Sequence, residues 1–419
     1  MSVAGATVLV VGAGYEGKRR AYAKVAKQGA RAVVVEEPGH WSGSLVAEGL
    51  AADWLAVPVC GDPDQDAHAV LAAVDGAGIR PDGVLTFWED SICAAARVAQ
   101  ALGLPGNPPD AVDSARSKVR MRELSARLGL PTPRAVRVQS LDELFAGAAQ
   151  VGFPAVVKPE FGASAMGCVK VASLEELPGV YSLVRSVVTP ETDGIFRAGN
   201  DLLVEEYLDG VEFDVDLLMQ DGRCVFSSVS QNWPTAEPSF QELGLHCPPD
   251  HDRRAVQRLV DLCVETADRF GLRRGVLHIE GKCTSRGPRV IEVNARLGGG
   301  RIHEIVEAVW AVDLVAAQLR SCLDLPLELK PSRRPRCAVL DVMVYAPRTG
   351  RLASIPFVDR ELPDHVTVDL EVELGQEVAG PEAIFATHLA EVTVTGKDLR
   401  RARAATDRFL AEPPEVDST

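Results

Sequence analysis

No apolar run in the 419 residues approaches the length of a membrane span, so no membrane partner is expected. Positive charge is scarce. Lys and Arg number 44 against 59 Asp and Glu, a formal net charge of −15. That balance argues against a nucleic-acid or anionic-membrane partner. Paired cysteines are missing too. The nine cysteines are scattered singly, with no C-x-x-C and an odd count. A reduced, cytoplasmic protein is expected rather than a disulfide or zinc framework. There is no internal repeat, no low-complexity tract and no G-x-x-x-x-G-K-[ST] phosphate loop. The opening MSVAGATVLVVGAG has no basic leader, and it reads as a buried strand running into a glycine turn rather than a signal peptide.

The length predicts two to three domains. Residues 1–112 alternate apolar strands (ATVLVVG, ARAVVVEE, DGVLTFWED) with helical stretches such as SICAAARVAQALG. This is the pattern of an α/β, doubly wound parallel sheet, a Rossmann-like domain. A literal G-x-G-x-x-G stands at Gly12, Gly14 and Gly17, with Glu36 some way on. It is readable as a dinucleotide site, hence an NAD-binding dehydrogenase, or as a tight strand-to-helix turn with no cofactor. Pro105–Pro109 closes this domain, and one helix is expected over residues 113–130 with Lys118 in its first half.

VGFPAVVKPEFGASAMGCVKV places Lys158 at a strand end before a small-residue loop. Such a loop lets backbone N–H groups approach phosphate oxygens while a lysine supplies charge. LLVEEYL reads as a strand, and EFDVDLLM as an alternating strand carrying Glu212, Asp214 and Asp216 on one face. A long Pro-containing loop, a helix from Asp252 to Gly271, a Gly-rich turn into one long helix over 297–323, and a strand-rich tail with a frayed polar end complete the chain.

The most informative stretch is Gly275–Arg301, two strands joined by a tight turn. Side chains alternate along a strand, so His278, Glu280 and Lys282 share one face, as do Glu292, Asn294 and Arg296. A turn centred on Arg286 sets Glu280 opposite Glu292. Like charges so placed destabilise a hairpin. Two carboxylates and an amide oxygen suit a hard cation, and Mg²⁺ with phosphate oxygens completing its shell fits the set.

Taken in order, the Lys118 helix, VVKP, the Gly-rich loop, VEEYLDGVEF, Glu280 and Glu292-x-Asn294-x-Arg296 resemble the ATP-grasp superfamily. HIEGK and GPRVIEVNARLGGGRIHEIV look most like its carnosine-synthase and L-amino-acid ligase group. The resemblance implies a Rossmann-like domain at 1–112, an ATP-grasp fold of two α+β subdomains at 113–330 with a lid at about 131–204, and a strand-rich segment at 331–419 completing the ligase core. It implies ATP and Mg²⁺ (Mn²⁺ as a possible substitute). Lys118 and Lys158 would contact phosphates, and the 161–169 loop with Ser164, Ala165 and Met166 would fold over them. Adenine would lie against Glu205, Glu206, Tyr207 and Leu208, and the ribose against Glu212. The metal would fall to Glu280, Glu292 and Asn294, and Arg296 would sit near the reacting carboxyl phosphate.

The implied activity joins two small-molecule substrates, a carboxylate donor and an amine donor, both amino acids or similar, with release of ADP and phosphate. A homodimer is also implied. Specificity would sit in loop 231–248 and in Trp88–Glu89–Asp90, with His278, Glu242 and Glu89 as substrate candidates. Arg301, at a helix N-terminus, is expected to hold the α-carboxylate of the amine donor. The competing expectation pairs it with Glu304 or Glu307 on its own helix. The rival functions are a purine-pathway or biotin-carboxylase-like ligase, a nucleotide-sensing module without turnover, and the dehydrogenase.

Overall fold

The computed structural model describes residues 2–358, 360–381, 383 and 385–417; Met1, Asp359, Glu382, Ile384, Ser418 and Thr419, including the expected frayed end, lie outside them. The first four strands are β1 (Thr7–Val11), β2 (Arg31–Glu36), β3 (Asp53–Ala56) and β4 (Gly83–Leu85). They form an all-parallel sheet in the order β3-β2-β1-β4. TVLVV and RAVVVE are almost wholly buried, as strands covered on both faces must be. Only Gly83–Leu85 of the expected strand DGVLTFWED pairs in the sheet, because Thr86 accepts from Trp88 N and turns the chain. Helix α1 (Arg19–Lys27) follows a single 3₁₀ turn over Glu16–Lys18.

The helix expected over 113–130 is two. The chain breaks at Ser117, between α2 (Pro109–Arg116) and α3 (Lys118–Arg127). Ser117 is extended at ψ 115, and its Oγ caps α3 by accepting from Arg120 N at 3.1 Å. Lys118 is thus the first residue of a helix rather than a point within one.

A second sheet contains β5 (Ala135–Val138), β6 (Ala155–Pro159), β7 (Val169–Val171) and β8 (Leu202–Glu206), ordered β5-β8-β6-β7. Next come β9 (Val211–Gln220), β10 (Arg223–Asn232), β11 (Gly244–Cys247), β12 (Gly275–Thr284) and β13 (Gly287–Asn294). The expected long loop is therefore shorter, since its two ends lie in β10 and β11. The β12–β13 register pairs Glu280 with Glu292 and His278 with Asn294, as the turn predicted. A bulge after Glu280 was not foreseen.

The single long helix expected after the glycines is also two, α4 (Ile302–Trp310) and α5 (Leu314–Cys322). Ala311 is left-handed at φ 61, and Asp313 caps the second helix through Val315 N and Ala316 N, both at 3.0 Å. The tail supplies β14 (Ala338–Tyr345), β15 (Gly350–Ser354), β16 (Val366–Leu370), β17 (Glu377–Val378), β18 (His388–Gly396) and β19 (Glu415–Asp417). It also contains an unforeseen helix, Leu399–Phe409.

Strands from both sides of residue 330 share one eight-stranded sheet, β13-β12-β9-β10-β11-β14-β18-β16. The N-terminal sheet is fused to it as well. Val8, Val10, Tyr22 and Phe87 pack in one buried cluster with Ile305, Val309 and Leu319 of α4 and α5. No helix among the described residues is long and apolar enough to cross a membrane.

Candidate active site

The N-terminal sheet's connecting turns, the β5-β8-β6-β7 sheet and the eight-stranded sheet converge on one cavity of about 660 Å³, and the small β17-β15-β19 sheet stays outside it. It is lined by Tyr15, Lys18 and Glu89 from the N-terminal part and by Lys158 and the small-residue loop from the second sheet. Strands β8, β9, β12, β13, β14 and β18, the 233–243 loop, Lys118 of α3 and the Gly299–Arg301 turn also contribute. The metal and nucleotide residues named from the sequence line it, with Lys118, Lys158, Ser164 to Met166, Arg296, Arg301, His278, Glu242 and Glu89, whereas Asp90 and Phe161 do not.

The nucleotide end is built on buried charge. Lys118 Nζ lies 3.2 Å from Glu292 and donates to Gly162 O at 3.4 Å. Its backbone N–H donates to Glu160 O at 3.3 Å, and Ser117 Oγ donates to the Glu160 carboxylate. These bonds clamp the start of α3 to the loop after β6. Ser164 and Ala165 adopt φ 51 and 55, left-handed conformations that cost energy in residues with a Cβ. Lys158 pairs with Glu205, which also accepts from Arg122 Nε at 2.9 Å. Burial would raise Glu205, but Arg122 and Lys158 outweigh it and hold the carboxyl at about 2. The adenine contact expected of this carboxylate therefore competes with two cations, whereas the backbone from Glu206 to Leu208 remains at the strand end. Tyr207 donates to Glu237 at 2.8 Å, and Glu212 pairs with Lys282 at 3.4 Å.

At the hairpin, acid is in excess. Glu280 and Glu292 face each other, with Asp214 on the adjoining strand opposite Glu280. Burial, then Glu292 and Asp214, push Glu280 well above the carboxylate range. Burial also lifts Asp214 to about 6. Glu292 is held below its usual value because Lys118, Arg116 and Lys158 outweigh its burial. Glu242 is exposed where it borders the cavity, and desolvation in that recess, then Asp214 and Glu212, raise its carboxyl above the usual range. Asn294, set to satisfy its hydrogen bonds, donates to both Glu89 oxygens at 2.9 and 3.2 Å. Its amide oxygen is thereby freed for another partner.

Among the described residues no three His, Cys, Asp or Glu side chains form a closed metal cage. Two carboxylates, an amide oxygen and a surplus of negative charge instead fit a hard cation that keeps outside oxygen ligands. His278 Nδ1 sits 2.9 Å from Asp216; burial lowers the imidazole, but Asp216, Asp214 and Glu280 together outweigh it and raise it to about 9.

Glu89 is a buried hub, held by Arg296 Nε, by Arg116 Nε at 3.3 Å and by Asn294. Its oxygens are engaged inside the protein, so direct substrate contact would have to displace one of these bonds. Arg301 pairs with Glu304 at 2.8 Å and with Asp369 at 2.7 Å. The Glu304 pair is the one weighed against its anion role, and Asp369 adds a partner from β16.

Sequence reasoning passed over Arg116, Lys18, Asp341 and Glu391. Arg116 is buried, with no hydrogen-bond partner on either Nη. The only signals for the others were a lysine directly after the glycine motif and lone acids within AVLDVMVY and HLAEVTVTG. The glycine motif itself is accounted for by packing. Gly12 has φ +76, and a Cβ there would lie 2.0 Å from Ser91 Oγ. Glu36 accepts from the backbone of Ala13 and Glu37 at 2.6 and 2.9 Å, so its carboxylate is not free for a ribose.

The family models that match are an ATP-grasp N-terminal domain over residues 22–106 and an ATP-grasp domain over residues 151–304. Carnosine synthase 1 of Gallus gallus is 34% identical over 362 residues, covering 83% of this chain and 38% of that protein. The chain thus spans well under half of that curated relative. Alanine–anticapsin ligase of Bacillus subtilis (strain 168) is 25% identical over 250 residues, covering 56% of this chain and 52% of that one. The crystal structure of L-amino acid ligase from Bacillus licheniformis superposes with a TM-score of 0.82 at 20% identity, over 99% of both chains. The chain belongs to the ATP-grasp superfamily, alongside carnosine synthases and amino-acid ligases.

Proposed function

We propose that the protein is an ATP-dependent carboxylate–amine ligase. It joins two amino acids, or amino-acid-like substrates, into a dipeptide or pseudodipeptide through an acyl phosphate, releasing ADP and phosphate. The observation that carries this reading is the face-to-face pairing of Glu280 and Glu292 within one cavity that also holds Lys118, Lys158 and Arg296. The N-terminal sheet is read as Rossmann-like and as substrate-facing. The nine free cysteines suit a reduced, cytoplasmic setting.

A carboxylate is a poor electrophile, so it must be activated before an amine can attack. Mg²⁺ held by Glu280, Glu292 and Asn294 supplies charge neutralisation on the phosphates when bound. Lys118 and Lys158 bind the phosphates, with Lys118 fixed by the Ser117–Glu160 clamp. The loop from Gly162 to Cys168 covers them and excludes water, which otherwise competes for the acyl phosphate. Glu206 to Leu208 bind the base through their backbone, and Glu212 binds the ribose. Arg296, oriented by Glu89, faces the reacting carboxyl, where a planar cation stabilises the tetrahedral oxyanion. The 233–243 loop and His278 border the substrate end.

The test is a panel of the common amino acids offered in pairs with ATP and Mg²⁺, read by phosphate release, nucleotide chromatography and mass spectrometry. The expected result is ADP and phosphate in step with an amide product for at least one pair. AMP with pyrophosphate would replace the acyl phosphate with an adenylate, and bicarbonate-dependent turnover without an amine would favour a carboxylase.

A further inference from the structure

Lys18 directly follows the glycine motif, and its side chain is buried, with 2% of the residue exposed. Its Nζ reaches the cavity and donates to Gly298 O at 3.1 Å. Among the described residues no carboxylate forms an ion pair with it. The charges that act on it are Arg296 and Arg20, which repel it, and Glu391, which attracts it without forming an ion pair. Burial and then Arg296 pull its ammonium down to about 7. A buried cation without a counter-ion is costly, and the usual resolution is an anionic partner.

Glu391 of β18 brings an acid to the same cavity, its carboxyl lifted to about 9 by burial, then by Asp341 and Asp369, with no ion-paired cation among the described residues to hold its charge. It is 4% exposed and shares a hydrogen bond with Asp341 of β14, itself 1% exposed. It also accepts from Arg301 N at 3.2 Å. The arginines nearby do not neutralise it, because Arg20 and Arg301 both pair with Asp369. Lys18 and Glu391 therefore face one space, feel each other and do not meet. The turn between them is bare backbone. A Cβ on Gly300 would lie 2.6 Å from Glu391 Oε1, whereas one on Gly299 would meet nothing within 4 Å.

From this arrangement we infer that Lys18 and Glu391 form an α-amino-acid subsite, in which Lys18 holds the carboxylate of the amine-donating substrate and Glu391, braced by Asp341, faces its ammonium. The inference rests on the ligase reading. A buried cation and a buried acid held apart across open space complement a zwitterion. The carboxylate donor must bring its carboxyl to the phosphates near Glu292 and Lys118. The carboxylate that is held without being activated therefore falls to the remaining uncompensated cation. That cation is Lys18 rather than Arg301, whose guanidinium already has two acids.

The test compares wild type with Lys18→Met, Lys18→Arg and Glu391→Gln, using the amino-acid pair that the panel identifies. Lys18→Met should raise KM for the amine donor about tenfold or more while KM for ATP and for the carboxylate donor stays within about twofold. Wild type should prefer the free amine donor to its carboxamide, and Lys18→Met should lose that preference. Lys18→Arg should recover part of it, and Glu391→Gln should raise the same KM. Equal losses for ATP and both amino acids, or an unchanged acid-over-amide preference, would overturn the subsite. If Lys18→Met does not fold, Lys18→Arg and Glu391→Gln decide by the same comparison. A wild type that forms no amide with any pair overturns the ligase reading and this inference with it, and turnover with an unaffected variant overturns the inference alone.

Discussion

Glu205 illustrates how much of this site consists of charge removed from water. It was expected to meet adenine, yet it serves as the counter-ion of Lys158 and Arg122. Sequence alone could assign the residue to a strand end, but not its partners, because the pairing depends on β6 and β8 lying side by side and on α3 bringing Arg122 to Glu205. Its folded pKa, about 2 against an ordinary 4.5, is depressed, so the ion pair contributes fully above the ordinary value and is lost as pH falls towards 2. Glu205→Gln would leave two buried cations without their acid, a loss of about 3–5 kcal/mol at neutral pH. The gap between mutant and wild type should narrow on acidification below about 4.5, because the unfolded chain's Glu205 then takes up a proton that the folded one, near 2, refuses. Denaturant unfolding of both proteins at pH 7 and pH 3 checks this, and a gap that does not change with pH would contradict the pairing.

At the scale of elements, the hairpin was legible and the helix breaks were not. β12 and β13 alternate with period two around a short turn, so the facing of Glu280 and Glu292 follows from counting. The break at Ser117 carries neither Gly nor Pro, and helical residues continue on both sides, so periodicity ran through it. The turn at Ala311 is hidden for the same reason, since alanine is a strong helix former held left-handed here by its surroundings. Strand β11 is four residues long beside prolines, too short to show an alternation. In the proposed mechanism the Ser117 break matters because it sets Lys118 at a helix start, bonded to the small-residue loop at Gly162. Ser117→Ala removes the cap from Arg120 N and the bond to Glu160 together. It should cost about 1 kcal/mol of stability. KM for ATP should rise several-fold with little change for either amino acid. Thermal unfolding and initial-rate kinetics read the two effects separately, and a stability loss with unchanged KM for ATP would mean that the clamp does not position Lys118.

For the whole molecule, the sequence suggested successive units, while the structure joins them through shared sheet and core. The strand-rich character of the tail was readable from its alternating Val and Thr, but its place was not, because β14 finds its partner more than 90 residues away in β11 and carries β18 with it. β11 bonds to β14 over Gly244–Cys247, and β14 in turn bonds to β18. Cutting the chain after residue 330 would leave β11 as an open edge, a liability for aggregation. It would also strip Asp369 from Arg20 and Arg301 and remove the acceptor of Arg301 N. The 1–330 fragment still contains every residue proposed for ATP and metal. An autonomous ATP-binding unit would therefore keep its affinity, whereas a shared sheet predicts that it will not. The expected result is a fragment that aggregates or unfolds without a cooperative transition and gains no thermal stability from ATP and Mg²⁺, against a full chain whose midpoint rises with both. A soluble fragment with a sharp transition raised by ATP and Mg²⁺ as in the full chain would make the C-terminal strands an addition to the fold rather than part of its framework.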